Sequence, residues 1–260
     1  MKLVRLIFSS GILLFLIACG NQGYVLTIVN SKSFAEKQVT IDGSLVQRVG
    51  TDSIIPIQEP TLVNRKVDEM IAKIEMLDET ITDSSWTSLL QKWEELKANE
   101  VTLIQDTSAN SALVLQQMAI LNSALLKFSG EVRFGDSFEK ILYQNRVVLP
   151  ERLIQSVIYT HVYDQIFINL FGSSSLTHYH TTGGTIKLIQ KTDYPESNEI
   201  TLTCQTNDVR YLDVFIRIPE WAENPTVNHG NVKYVARPGE YCEISRKWKD
   251  GDEFKIVLKQ

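Results

Sequence analysis

Cysteine is scarce. Cys19, Cys204 and Cys242 are the three in 260 residues, too few for a disulfide-stapled scaffold or for a four-thiolate zinc site made by this chain alone. Surplus positive charge is missing too: 26 Lys and Arg face 31 Asp and Glu, for a net charge of −5 and a pI near 5.5. With no basic run, nucleic acid is excluded as the expected partner. Internal repeats and low-complexity tracts are also lacking, so solenoids and disordered polymers drop out. What remains is 43% hydrophobic and 22% charged residues, enough to bury a proper core in one or two domains.

The chain opens with a targeting pattern. Lys2 and Arg5 precede an apolar run from Gly11 to Ala18, the layout of a signal peptide and too short to persist as a membrane-spanning helix. The run ends in Leu16-Ile17-Ala18-Cys19, which resembles the bacterial lipobox, where cleavage precedes the cysteine and its thiol is acylated. That resemblance implies a mature chain beginning at Cys19, anchored by lipid to a membrane of the bacterial cell envelope, facing the periplasm or the surface. An ordinary secretory signal with a cysteine at this depth is the alternative. Each buried acyl CH₂ contributes about 0.8 kcal/mol, so several chains on one residue hold firmly.

Hydrophobic periodicity divides the rest. Residues 1–18 are the signal, and 19–60 mix short apolar stretches with polar ones and read as a linker with weak strands. From 61 to 163 the spacing is helical. Val63, Val67, Met70, Ile71 and Ile74 make one stripe, and Asp83 or Ser84 caps a second helix with Trp86, Leu89, Leu90, Trp93 and Leu96. A third helix runs from Ala109 to Phe128 and ends near Gly130, with shorter ones at Asp136 to Asn145 and Pro150 to Val162. From 164 to 260 apolar and polar residues alternate in seven short stretches, with Gly183-Gly184 and Asp250-Gly251 as hairpin turns. The expected fold class is therefore α+β and multidomain, a helical region followed by an antiparallel β-sandwich of about seven strands.

Four stretches carry a family likeness. Phe215 to Trp221 (Phe-Ile-Arg-Ile-Pro-Glu-Trp) and Tyr241 to Asp252 together resemble the middle domain of glycoside hydrolase family 127, which contains β-L-arabinofuranosidases. Ile168 to Ser174 and Lys191 to Pro195 are similar to the same domain's opening strands. In the helical region, Ser129 to Tyr143 is similar to a stretch near the end of the family's helical barrel. The resemblance covers about residues 104 to 258.

The family's catalytic domain is a barrel of about a dozen helices, with a zinc ion held by one Glu and three Cys, one of them the nucleophile. Zinc lowers a thiol's pKa and holds the thiolate ready to attack an anomeric carbon. The family's Glu-Thr-Cys-Ala motif corresponds here to Asp106-Thr107-Ser108-Ala109, and its paired cysteines fall on Val147 and Val148. The resemblance therefore implies a degenerate site at Asp106, Ser108, Val147 and Val148, with the zinc ligands lost and no metal or other cofactor expected. No counterpart of the family's acid/base glutamate motif is found upstream; Glu94, Glu95 and Glu100 are near the place but read as a solvated helix face. Five helices cannot close such a barrel, so a partner protein is a candidate to cover the remaining apolar helix faces.

Further constellations complete the candidates. Cys204 and Cys242 both fall on inward-facing strand positions, as a disulfide or as two buried thiols. His178 and His180 sit at i, i+2, a metal pair if on one strand face and otherwise a polar loop. Trp221 and Trp248 are candidate carbohydrate platforms, with packing as their simpler role. Three classes of function stay open: a degenerate, lipid-anchored hydrolase relative tied to arabinan or pectin use, a hydrolase working through other carboxylates, and a non-enzymatic carbohydrate-binding or structural lipoprotein.

Overall fold

The computed structural model describes residues 31–42, 49–50, 69, 83–143 and 147–259. The signal, Cys19 and the helix expected from residue 61 lie outside the described residues.

Five α-helices lie between residues 83 and 158. α1 is Asp83–Lys97, α2 Glu100–Gln105, α3 Ala109–Ser129, α4 Val132–Leu142 and α5 Glu151–Ile158. The expected stripe on α1 is real: Trp86, Leu89 and Trp93 are buried, Trp86 against Phe128 and Trp93 against Phe134. α3 is the central helix. Its length and composition would suit a membrane span, yet its side chains from Val114 to Phe128 mostly fill the core. Ser108 caps its start through a hydrogen bond from Ser111 N, and Gly130 ends it at φ 68°, the left-handed conformation glycine adopts without strain.

Fourteen strands are described: β1 Lys32–Ser33, β2 Val39–Ile41, β3 Val49–Gly50, β4 Leu149–Pro150, β5 Tyr159–Val162, β6 Gln165–Ile168, β7 Ser174–Tyr179, β8 Thr185–Lys191, β9 Glu199–Thr206, β10 Arg210–Arg217, β11 Glu223–His229, β12 Val232–Tyr234, β13 Tyr241–Trp248 and β14 Glu253–Lys259. They form a five-stranded sheet in the order β1-β5-β6-β10-β13, a seven-stranded sheet in the order β12-β11-β14-β9-β8-β7-β2, and the small pair β3-β4. Alternation packs the two large sheets face to face. Leu212, Val214 and Ile216 of β10 and Leu202 and Cys204 of β9 are fully buried. Pairing is antiparallel except for β6 with β10 and β3 with β4.

The expected helix at Pro150 to Val162 is corrected by the structure. It stops at Ile158, and Tyr159–Val162 is β5, paired with β6 and β1. Sheet pairing overrode a helical spacing too short to decide the matter. Residues 31–42, expected to be linker with weak strands, cross from one sheet edge to the other through β1 and β2.

Candidate functional site

The most concentrated buried polar chemistry lies where α4 meets the five-stranded sheet. Asp136 and Glu139, three residues apart, project from one face of α4. Both receive the guanidinium of Arg217: Nη1 donates to Asp136 Oδ1 and Nη2 to Glu139 Oε2. Arg217 is wholly buried, and its Nε donates to the Asn169 carbonyl at 2.5 Å. The network continues outward. Tyr194 donates to Glu139 Oε1 at 2.6 Å, Tyr241 to Asn169 Oδ1 at 2.6 Å, and Glu220 N to Asp136 Oδ2 at 3.1 Å. The guanidinium fork thus has a separate acceptor for each arm, which is what makes a buried arginine tolerable.

The electrostatics follow from these contacts. Burial would push the Arg217 pKa down, but Glu139 and Asp136 hold it above its ordinary value. Burial, then the Glu139 charge, push the Tyr194 phenol up, so it stays a donor. Gly135 leaves room for this arrangement. A Cβ there would stand 2.7 Å from Arg217 Cδ.

Above the network is an open cleft of about 690 Å³, reached by Tyr143, Tyr194, Pro195, Glu220 and Trp221, within the usual range for small-ligand sites. Trp221 is half-buried at its edge and packed against the core. Glu100 lies nearby and departs from its expected solvated position. It is buried, accepts from Ser137 Oγ at 2.5 Å, and pairs with Lys97 at 2.6 Å and Lys140 at 3.2 Å. Glu94 and Glu95 are exposed as expected.

The remaining candidate positions are scattered. Asp106 is an exposed turn carboxylate accepting from Ser108 N at 2.9 Å and Ser108 Oγ at 2.8 Å. Val147 packs in the core, whereas Val148 is exposed and offers its carbonyl to Gln116 Nε2 at 3.1 Å. One carboxylate, one capping hydroxyl and two hydrocarbon side chains do not fit a zinc site. Among the described residues no group of three or more His, Cys, Asp or Glu side chains is arranged to hold a metal.

Cys204 and Cys242 are both free, buried thiols, on strands of different sheets. Burial, then Asp252, push Cys204 up to about 12, and burial does the same to Cys242. Neither is a thiolate at neutral pH. Trp248, expected as a candidate sugar platform, is corrected: it is wholly buried, packs on Phe254 and donates to the Leu212 carbonyl at 3.3 Å. Strand alternation turns it inward with Cys242 and Ile244.

A second polar cluster gathers at one end of the sandwich. Asp164, in the β5–β6 turn, accepts from His178 Nε2 at 2.8 Å, from Thr181 N at 3.1 Å and from the Thr181 hydroxyl, with His180 Nε2 at 3.4 Å. Burial would raise its pKa, but the hydrogen bonds from Thr181 and His178 hold it below the usual carboxylate value. His178 thus bonds the carboxylate, while His180 Nε2 lies beside it and bonds the Tyr211 carbonyl at 3.0 Å. His178 is on β7, and His180 is just past its end.

Fold and polar junction together define a β-sandwich locked to a helical region through a buried arginine, and comparison with known proteins says whose sandwich it is. Residues 165–260 match the family model described as the β-L-arabinofuranosidase GH127 middle domain, so this part of the chain is GH127-like. Among solved structures, one described as a glycoside hydrolase is 20% identical with a TM-score of 0.51, over 57% of this chain and 32% of that one. A GH127 β-arabinofuranosidase is 18% identical with a TM-score of 0.50, again over 57% and 32%. A GH127 β-L-arabinofuranosidase from Geobacillus stearothermophilus T6 is 21% identical over 56% and 31%, at a TM-score of 0.49. This chain covers about a third of the length of those structures. No curated protein matches.

The motif residues that carried the likeness turn out to meet in space: Asp136 and Glu139, Asn169, Tyr194, Arg217 and Tyr241 form one network. Sequence reading did not single them out as a site. The available signal was Arg217, a charge at the end of the apolar alternation Phe215-Ile216-Arg217-Ile218.

Proposed function

We propose that the chain is a membrane-anchored lipoprotein related to GH127 glycoside hydrolases, catalytically degenerate, and serving arabinan- or pectin-type glycan use at a bacterial cell envelope. The carrying observation is the fate of the positions aligned with the zinc and nucleophile motifs. Val147 is core, Val148 presents hydrocarbon, and Ser108 is committed to capping α3. Hydrocarbon neither ligates zinc nor attacks a sugar carbon. Of the three carboxylates lining the cleft, Asp136 and Glu139 serve as counter-ions to Arg217, and Glu220 is exposed at its edge. Incubation of the purified chain with an aryl β-L-arabinofuranoside and zinc tests this reading. No turnover is expected, and turnover abolished by chelation would reverse it. Anchoring through Cys19 predicts palmitate label on the wild-type chain and none on Cys19→Ala.

A binding role draws on the cleft at the junction. Trp221 supplies an apolar ring beside polar groups, the pairing that sugar rings require, and Glu220 is exposed next to it. Loss of glycan-array signal on Trp221→Ala, with the fold intact, is the expected result. Equal binding by wild type and variant would remove Trp221 from the site.

A further inference from the structure

We propose that residues 31–41 form an acid-releasable strap, docked on the sandwich while the His161 ring is neutral and let go when its Nδ1 takes a proton. The strap closes one side of the sandwich. β1 adds to the edge strand β5 of one sheet, with Lys32 opposite His161, and β2 adds to the edge strand β7 of the other, with Val39 opposite Leu176. Ser31 fastens it to the end of α3, its N and Oγ both donating to the Lys127 carbonyl at 2.7 and 2.8 Å. Between these attachments Phe34 is buried as a plug. Its ring stacks on His161 at 4.2 Å between centroids and meets the edge of His178 at 5.8 Å.

His161 is the weak point of this contact. Its Nδ1 is buried with no hydrogen-bond partner. In the Nε2–H tautomer of the neutral ring that atom is an unpaired acceptor. Protonation turns it into a buried donor with nothing to receive it, beside a second positive group. Lys32 on β1 and His178 on β7 face it, with His180 just beyond β7, and the one anion of the cluster, Asp164, is already engaged by His178, His180 and Thr181. Burial pushes the imidazole below its ordinary value, the Tyr163 backbone hydrogen bond opposes this, and His178 and Lys32 add to the lowering against Asp164. Letting the strap go returns the ring to water. Released and fully extended, the strap adds roughly 40 Å of reach to the chain leading into the sandwich.

The sign follows from linkage. A histidine whose docked pKa is lowered favours docking fully above about pH 6.5, and docking weakens by up to about tenfold per pH unit as pH falls from there to the docked value. Amide hydrogen exchange on the full chain reads this directly, as protection factors corrected for intrinsic rates between about pH 7.5 and 5. Strap amides at 32–33 and 39–41 should lose protection across that interval, by up to about tenfold per pH unit, while β9 and β14 hold theirs. His161→Phe, which keeps a ring under Phe34 without a titrating nitrogen, should flatten the response, and His161→Gln should do the same if the Phe variant folds poorly. Strap protection independent of pH, an equally steep loss in both variants, or a parallel loss in β9 and β14 would each overturn the proposal.

Discussion

Two parts of the helical region have diverged. The end that faces the sandwich, α4, keeps a carboxylate pair at helical spacing and aims both groups at one buried guanidinium. The positions that the proposed reading sets against the catalytic motifs hold one exposed carboxylate, Asp106, and otherwise a capping hydroxyl and two valines. The first group is costly to bury and persists because each charge is met. The second makes contacts that any soluble helical protein could use. The charges that tie the helical region to the sandwich are explained by burial and pairing alone, and a sandwich fold does not by itself assign an activity.

The sharpest way to break that comparison is Arg217→Met. Removing the cation leaves Glu139 buried with its charge unanswered and Asp136 partly so, a change that costs about 3–5 kcal/mol. Thermal or denaturant unfolding should show it as the largest single loss in the junction. Replacing Glu139 with Leu in the same chain should recover part of the loss, because the uncompensated charge goes with it. A loss below about 1 kcal/mol for Arg217→Met would put the network on a par with surface ion pairs and dissolve the contrast.

Gly135→Ala probes the same junction from the backbone side. The new methyl would sit 2.7 Å from Arg217 Cδ and 3.1 Å from its Nε, so the arginine or the helix must move. Overpacking of this kind costs about 1–3 kcal/mol, partly offset by alanine's better helix propensity. An unfolding midpoint equal to or above wild type would mean that the guanidinium has slack.

Much of the architecture was legible because it rests on long patterns. Ala109 to Phe128 with a glycine after it, and the alternation of Tyr211 to Ile218, needed no tertiary information. Trp86 and Trp93 fell on a helical stripe and are core. What failed depended on strand pairing, distant for β1 and β2 and local for β5. β1 and β2 are strands because each adds to a sheet edge, whereas β5 pairs with β6 across the two-residue turn Tyr163–Asp164, a hairpin that the helical spacing masked. The junction was half legible. Its residues were visible as motifs, yet that Asn169, Tyr194 and Arg217 meet at Glu139 and Asp136 is a fact of packing. Glu100 was misread because a charged helix end looks solvated until α4 brings Lys140 and Ser137 over it. Trp248 shares the inward parity of Cys242 on β13, so the alternation already favoured packing over a sugar platform.

The smallest expected effect tests the catalytic side of the comparison. Ser108 accepts from Ser111 N and donates to Asp106 Oδ2, so its hydroxyl closes the first turn of α3. If that is its whole duty, Ser108→Ala costs about 1 kcal/mol, the usual worth of a helix N-cap, and Ser108→Asp, which caps equally well, costs close to nothing. A remnant of a metal site would behave differently. Ser108→Cys, which restores the thiol of the aligned motif, would then raise zinc affinity, readable by a thiolate charge-transfer band with a cobalt probe. With Val147 in the core and Val148 unable to ligate, no such band is expected, and the serine remains a cap.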